Sequence, residues 1–196
     1  MLTLEAIAVV LTLVAVYLTA REFIWCWPLG MVSVVLYAMV FYHARLYADM
    51  GLQGLYFALA AYGWWAWLHG GENRRELEVS LAKPRMRVGV VVAAGLGGML
   101  LGGVLTRFTN ASLPFMDSLL TSFSIAGQWM QTRKLLESWL VWLAVDVFYV
   151  GMFLYKKLYL TAGLYSVFLV LAAMGFTHWR RSMRGARVPP VPELAS

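Results

Sequence analysis

Seven stretches of 17 to 23 residues, nearly free of charge, follow one another along the chain: Leu4–Ala20, Phe23–Tyr42, Leu46–Leu68, Val88–Thr106, Leu113–Thr132, Ser138–Tyr155 and Leu158–Trp179. A helix needs roughly 20 apolar residues to cross a bilayer. In lipid every backbone N–H and C=O must also find its partner within the protein, which leaves helices or closed barrels. The stretches are too long to read as strands and do not alternate polar with apolar residues. They predict an all-α integral membrane protein with seven transmembrane helices. Composition points the same way, since 13% of residues are charged, about half the share of an ordinary soluble domain. The net charge of +6 does not mark a nucleic-acid protein, because the basic residues fall in short clusters between apolar runs instead of along one patch. Membrane lipid is the partner this pattern implies.

Those clusters also orient the chain. Arg45, Arg107, Lys156 and Lys157 lie on the face shared with the N-terminus, whereas the other twelve Lys and Arg lie on the opposite face. Loops rich in Lys and Arg stay in the cytoplasm, so the N-terminus is expected outside and the C-terminus inside. The first stretch lacks the basic start and small-residue cleavage site of a signal peptide and reads as a span. The connector Gly70–Arg87 carries five of the basic residues and Pro84, and reads as a solvated loop. Residues 181–196, with Pro189, Pro190 and Pro192, read as a basic cytoplasmic tail, disordered from Val188.

The chain matches itself at an offset of 112 residues. Trp27 falls on Trp139, Tyr37 on Tyr149, Phe41 on Phe153, Leu46 and Tyr47 on Leu158 and Tyr159, Gly51 on Gly163, Gly63 on Gly175 and Trp67 on Trp179, without a gap. Hydrophobicity alone yields Leu and Ala coincidences, not paired Trp, Tyr and Gly, so the pattern reads as duplication. It divides the chain into a first three-helix repeat (1–69), a loop and linking helix (70–112), a second three-helix repeat (113–180) and the tail (181–196). Corresponding spans are four apart, so both repeats enter the membrane from the same side. Parallel repeats related by an axis along the membrane normal are a transporter plan with the site at the repeat interface near mid-bilayer. The glycines of the linking helix, including Gly97, Gly98 and Gly102, fit close approach to neighbouring backbones.

Within this frame Asp146 is the sharpest functional signal, because it falls in the middle of an otherwise uncharged span. A carboxylate there costs roughly 2.5–3.5 kcal/mol on translocon scales, and such a residue faces a partner or a water-filled cavity. Trp139, Trp142, Asp146, Tyr149 and Phe153 share one helical face. The equivalent positions in the first repeat are Trp27, Gly30, Val34, Tyr37 and Phe41, so Trp142 and Asp146 have no counterpart. An aromatic face with a carboxylate suits a flat cationic ligand through stacking, cation–π attraction and charge pairing. Two further stripes are candidates: Thr121, Ser124 and Gln128 behind Asp117 in the fifth span, and Gln53, Tyr56, Gly63 and Trp67 in the third. The amides among them could equally join helices. Asp49 and Asp117 lie near span ends and are expected in solvent, and Trp64 and Trp65 fit an interfacial belt. No metal-ligand spacing, nucleophile elbow or phosphate-cradling loop appears, so neither a metal, a cofactor nor ATP chemistry is expected. A membrane enzyme using Asp146 with His178 or Asp117, or a non-transporting membrane subunit, are the rival classes.

Several local patterns together resemble one family, the PnuC vitamin transporters, known as nicotinamide riboside carriers. They are W-P-x-G at Trp27–Gly30, L-Y-A-D-M-x-L-Q at Leu46–Gln53, Y-G-W-W-x-W at Tyr62–Trp67, Asp117-Ser118, and R-K-x-x-E-x-W-x-x-W at Arg133–Trp142 followed by Asp146. The resemblance covers roughly Trp27–Trp179. It implies a three-plus-one-plus-three fold related to the sugar-carrying SWEET proteins, uptake by facilitated diffusion, location in a bacterial inner membrane, and a homotrimer. It maps the family's W-x-x-W-x-x-x-N/D feature onto Trp139, Trp142 and Asp146, and its third-span glutamine onto Gln53. Amides common in the family are replaced by Ala60 and Met174 in this chain. Nicotinamide riboside and thiamine, both with cationic aromatic rings, suit Asp146 and its tryptophans; neutral, larger riboflavin fits less well.

Overall fold

The computed structural model of the protein describes residues 2–45, 47–108 and 113–185. Leu46 and the tail beyond Gly185 lie outside the described residues, as do 109–112 at the end of the linking region. Seven helices run in order: α1 (Leu2–Ala20), α2 (Cys26–His43), α3 (Tyr47–His69), α4 (Pro84–Phe108), α5 (Pro114–Thr132), α6 (Glu137–Tyr155) and α7 (Tyr159–Gly185). Proline opens α4 and α5, where its missing N–H removes no helical hydrogen bond. By length and composition α1, α2, α4, α6 and α7 can each cross a membrane. The other two, α3 and α5, are diluted by polar residues such as Gln53, Thr121, Ser124, Gln128 and Gln131, which face a shared interior instead of lipid.

Six helices form a closed ring. Contacts run α1·α2, α2·α3, α3·α5, α5·α6, α6·α7 and back through α1·α7, while α4 lies outside against α5. Exchanging α1, α2 and α3 for α5, α6 and α7 leaves this order unchanged, as a two-fold relation requires. Backbone details repeat as well. Left-handed φ values occur at Glu22 (59°) and Lys134 (52°), and at Arg45 (60°) and Lys157 (58°), each pair 112 residues apart. Residues other than glycine rarely adopt this conformation, so the same turn was inherited twice.

Four tryptophans mark the axis. Trp27 meets Trp67 edge-on at 5.3 Å between ring centroids, and Trp139 meets Trp179 at 5.3 Å in the same manner. Trp67 and Trp179 then touch each other at 5.7 Å, joining the halves. The indole N–H of Trp67 donates to the Gln131 carbonyl at 3.1 Å, and that of Trp179 donates to the Thr19 carbonyl at 3.0 Å; these are repeat-related bonds crossing between halves. Aromatic pairs of this geometry contribute about 0.5–1.5 kcal/mol beyond burial. Without a hydrophobic drive between helices in lipid, such packing and hydrogen bonding carry the association.

The connector is largely exposed, but its middle is strapped onto the bundle. Ser80 N–H donates to the Lys134 carbonyl and the Ser80 carbonyl accepts from Leu136 N–H, while Val79 and Ala82 are buried. Leu77 and Val79 pack against the tryptophan cluster. Glu137 holds the strap's far end, pairing with Arg87 at 2.7 Å and accepting from Ala82 N–H at 3.0 Å. The linking helix begins at Pro84, four residues before the apolar run. Its glycines divide: a Cβ on Gly98 or Gly102 would collide with Leu119 or Phe115 of α5, whereas Gly89, Gly95 and Gly103 meet open space. Likewise α7 continues to Gly185, so residues 181–185 of the expected tail are helical.

The tryptophans fit because Gly63 and Gly175 leave room: a Cβ at either would overlap the ring of Trp27 or Trp139. Gly63→Ala and Gly175→Ala are expected to lower the thermal midpoint in detergent, each by the equivalent of about 1–3 kcal/mol of overpacking. Gly51→Ala and Gly163→Ala, where a Cβ meets open space, should not. Equal midpoints for the two sets would contradict this packing.

Candidate functional site

The ring encloses a cavity of about 510 Å³ to which all six of its helices contribute. At one end it is bordered by Asp49 and Asp117, both exposed, near the first turns of α3 and α5. At the other end lie Trp27, Trp139, Ala60 and Ala172, with Trp67, Trp179 and the connector beneath. The cavity therefore opens toward the face where α3 and α5 begin and is closed toward the connector.

Symmetry provides the scaffold and substitution provides the chemistry. Lining positions pair off across the axis at the 112-residue offset: Trp27 with Trp139, Tyr37 with Tyr149 and Ala60 with Ala172 are alike. Others differ. Asp146 opposes Val34, Trp142 opposes Gly30, Gln128 opposes Val16, Gln131 opposes Thr19, and Gln53 opposes Tyr165. One wall, from α3, α5 and α6, thus carries the carboxylate and the amides. The other, from α1, α2 and α7, is apolar apart from hydroxyls, and some of these are occupied locally: the Thr12 and Ser33 oxygens lie 2.6 Å apart and each lies 2.9 Å from the Ala8 carbonyl, so that one hydroxyl donates to the other and the other to the carbonyl.

Asp146 is 4% exposed and borders the cavity. Neither ion pair among the described residues involves it; these join Arg87 with Glu137 and Lys134 with Glu22. A buried carboxylate without a cationic partner is costly to keep charged, and in this position a ligand cation can supply the missing charge. One turn before it on α6, Trp142 donates its indole N–H to Gln131 Oε1 at 3.1 Å, which fixes the ring at the cavity wall. Farther along, Tyr149 and Tyr165 lie 4.7 Å apart across the α6–α7 boundary, and Tyr165 meets Phe168 at 5.7 Å. The arrangement can hold a flat cation between aromatic surfaces. Among the described residues no three His, Cys, Asp or Glu are grouped to hold a metal ion.

Of the residues singled out from sequence, Gln53, Tyr56, Thr121, Ser124, Gln128, Trp139, Trp142, Asp146 and Tyr149 all line this cavity. Ser124 spends its proton on the Leu120 carbonyl at 2.8 Å, leaving its oxygen to accept. Trp67 stands apart from the lining, its ring locked between Trp27 and Trp179. Phe153 packs on Tyr149 and Tyr165 outside the lining. Asp49 and Asp117 are exposed as expected, yet they border the cavity. Gln131, Tyr165 and Phe168 were not singled out. Gln131 continues the fifth-span stripe three residues past Gln128, and Tyr165 and Phe168 are the repeat partners of Gln53 and Tyr56.

A family model described as "Nicotinamide mononucleotide transporter" matches residues 2–181. The chain is 28% identical, over a 209-residue alignment, to the nicotinamide riboside transporter PnuC of Escherichia coli (strain K12), spanning 92% of this chain and 86% of that protein. It is 27% identical over 190 residues to the riboflavin/roseoflavin transporter RibM of Streptomyces davaonensis, spanning 95% and 88%. A crystal structure of the vitamin B3 transporter PnuC aligns with a TM-score of 0.73 at 23% identity, covering 93% of this chain and 82% of that one, a likeness of fold.

Proposed function

The chain belongs to the nicotinamide mononucleotide transporter family, and on that premise we propose that it carries a vitamin precursor with a cationic aromatic ring, nicotinamide riboside first, into the cell by facilitated diffusion. The observation that carries this reading is Asp146: a buried carboxylate, outside both ion pairs among the described residues, on the wall of an aromatic cavity. The ligand's ring stacks on Trp142, and its positive charge pairs with Asp146. Gln53, Gln128, Ser124 and Thr121 stand ready to bond the sugar hydroxyls, with Tyr56 and Tyr149 flanking. Trp139 and Trp67 support the floor from beneath. A relative that carries riboflavin has a neutral ligand, for which an uncompensated carboxylate brings no gain. Thiamine shares the cationic ring and is the second reading within the family.

Movement follows from the two-fold design. The halves rock about the tryptophan axis and expose the cavity to one side at a time, and consumption of the solute inside the cell pulls net uptake. In the orientation set by Lys and Arg, with the N-terminus outside and the C-terminus cytoplasmic in the inner membrane, the observed opening faces outward. A homotrimer is expected by family likeness, and α4 offers a face for it, with Val88, Leu96 and Leu100 each more than 60% exposed.

Proteoliposome uptake and calorimetry on Asp146→Asn test the reading. Loss of a charge-assisted contact is expected to weaken nicotinamide riboside binding roughly 10- to 150-fold, with wild-type uptake needing neither ATP nor an ion gradient. Unchanged affinity in the variant, or uptake that required such a gradient, would count against it; a preference for thiamine would select the second reading.

A further inference from the structure

An indole N–H can only donate, so the Gln131 atom 3.1 Å from Trp142 Nε1 must be the amide oxygen. This removes the usual ambiguity in assigning an amide's two ends and leaves Nε2 as the free branch of the Gln131 amide. Gln131 is 6% exposed and lines the cavity. Among the described residues its Nε2 donates to no protein acceptor, and its backbone carbonyl is separately engaged by Trp67. An amide nitrogen that reaches the cavity without a protein partner favours a ligand acceptor that can receive its hydrogen bond. Trp142 thus lies between two complementary groups, with Asp146 one turn on along α6 and the donors of Gln131 beside its nitrogen edge.

We infer that Gln131 is a specificity residue, donating its amide N–H to a carbonyl carried on the ligand's ring while its oxygen pins the tryptophan on which that ring stacks. The site then selects a cationic ring bearing a hydrogen-bond acceptor over the same cation without one. This rests on the functional reading above. The test is calorimetric titration of the full chain in detergent with nicotinamide riboside and with 1-ribosylpyridinium, which lacks the carboxamide. Wild-type protein should favour the former about tenfold, the scale of one buried hydrogen bond. Gln131→Met removes both functions of the side chain, whereas Gln131→Glu keeps an acceptor for Trp142 and removes the amide donors. Both variants should bring the ratio of affinities near one. A ratio unchanged in Gln131→Glu would overturn the inference while leaving the transport reading intact. Wild-type protein that bound neither cation would remove the nicotinamide riboside reading and this inference with it.

A separate observation concerns the closed end. Glu22 and Lys134 occupy equivalent positions of the two repeats, both in the left-handed turn, and bond each other at 3.0 Å. Their side chains are 17% and 10% exposed, and Lys134 Nζ also lies 4.8 Å from the centre of the Trp67 ring. Equivalent positions meet only near the axis, and there two like charges would repel, whereas Glu22 and Lys134 attract. The geometry points to this pair as a latch between the halves that keeps the cavity shut toward the connector. Cys26, the one cysteine of the chain, is buried and borders the cavity beside Trp27, which makes it a native reporter. In vesicles exposing only the connector face, a membrane-impermeant maleimide should alkylate Cys26 at least about fivefold faster in Glu22→Gln or Lys134→Gln, because removing one partner of a buried pair strands the other. The double exchange Glu22→Lys with Lys134→Glu should return the rate toward wild type. Single variants with unchanged rates, or an exchanged pair that labelled as fast as the singles, would overturn the latch.

Discussion

The edge-to-face contact of Trp67 with Trp179 is the junction on which the rest of this structure depends. Each ring is held in turn by an equivalent tryptophan, Trp27 or Trp139, seated over a glycine, and each donates its N–H across the axis to the opposite half. In lipid, helices gain little by hiding apolar surface from one another, so a ring of six needs specific packing at its seams. The tryptophan cluster supplies it at one end only. The opposite end remains open, and the ring becomes a vessel with a floor.

A two-fold vessel alone would offer two identical half-sites, and any single ligand would find its neighbours duplicated. The duplication has been broken on one wall. Replacing the equivalents of Val34 and Gly30 by Asp146 and Trp142, and those of Val16 and Thr19 by Gln128 and Gln131, concentrates charge and amides on α5 and α6, with Gln53 joining from α3. The opposite wall keeps the shape without the chemistry. An asymmetric solute can then bind in one orientation, while the backbone retains the symmetry that rocking between two faces requires. The same logic operates at the floor, where equivalent turns carry Glu22 and Lys134 and so attract instead of repel.

Much of this was legible in the residues. Span number followed from the bilayer's length requirement, and the duplication from Trp, Tyr and Gly identities at one offset. Asp146 announced itself because a carboxylate at mid-span is expensive wherever it points. What escaped reading depends on partners distant in sequence. Gln131 was not singled out, because its orientation is fixed only by Trp142 on the next helix. Trp67 carried the signature of a binding residue because tryptophans in a floor and in a wall have the same spacing. The connector's basic residues signalled solvent, yet Val79 is buried with Leu77 packed half-buried beside it, and only the Ser80 contacts with Lys134 and Leu136 reveal the strap.

The central claim is that one wall of a symmetric cavity does the recognising. The most direct measurement is a structure of the protein with nicotinamide riboside bound. The account places the ring against Trp142, its charged nitrogen within about 6 Å of the Asp146 carboxylate, and the sugar among Gln53, Gln128 and Ser124. A ligand lying against Val34, Thr12 and Phe168 on the opposite wall, with Asp146 untouched, would contradict it.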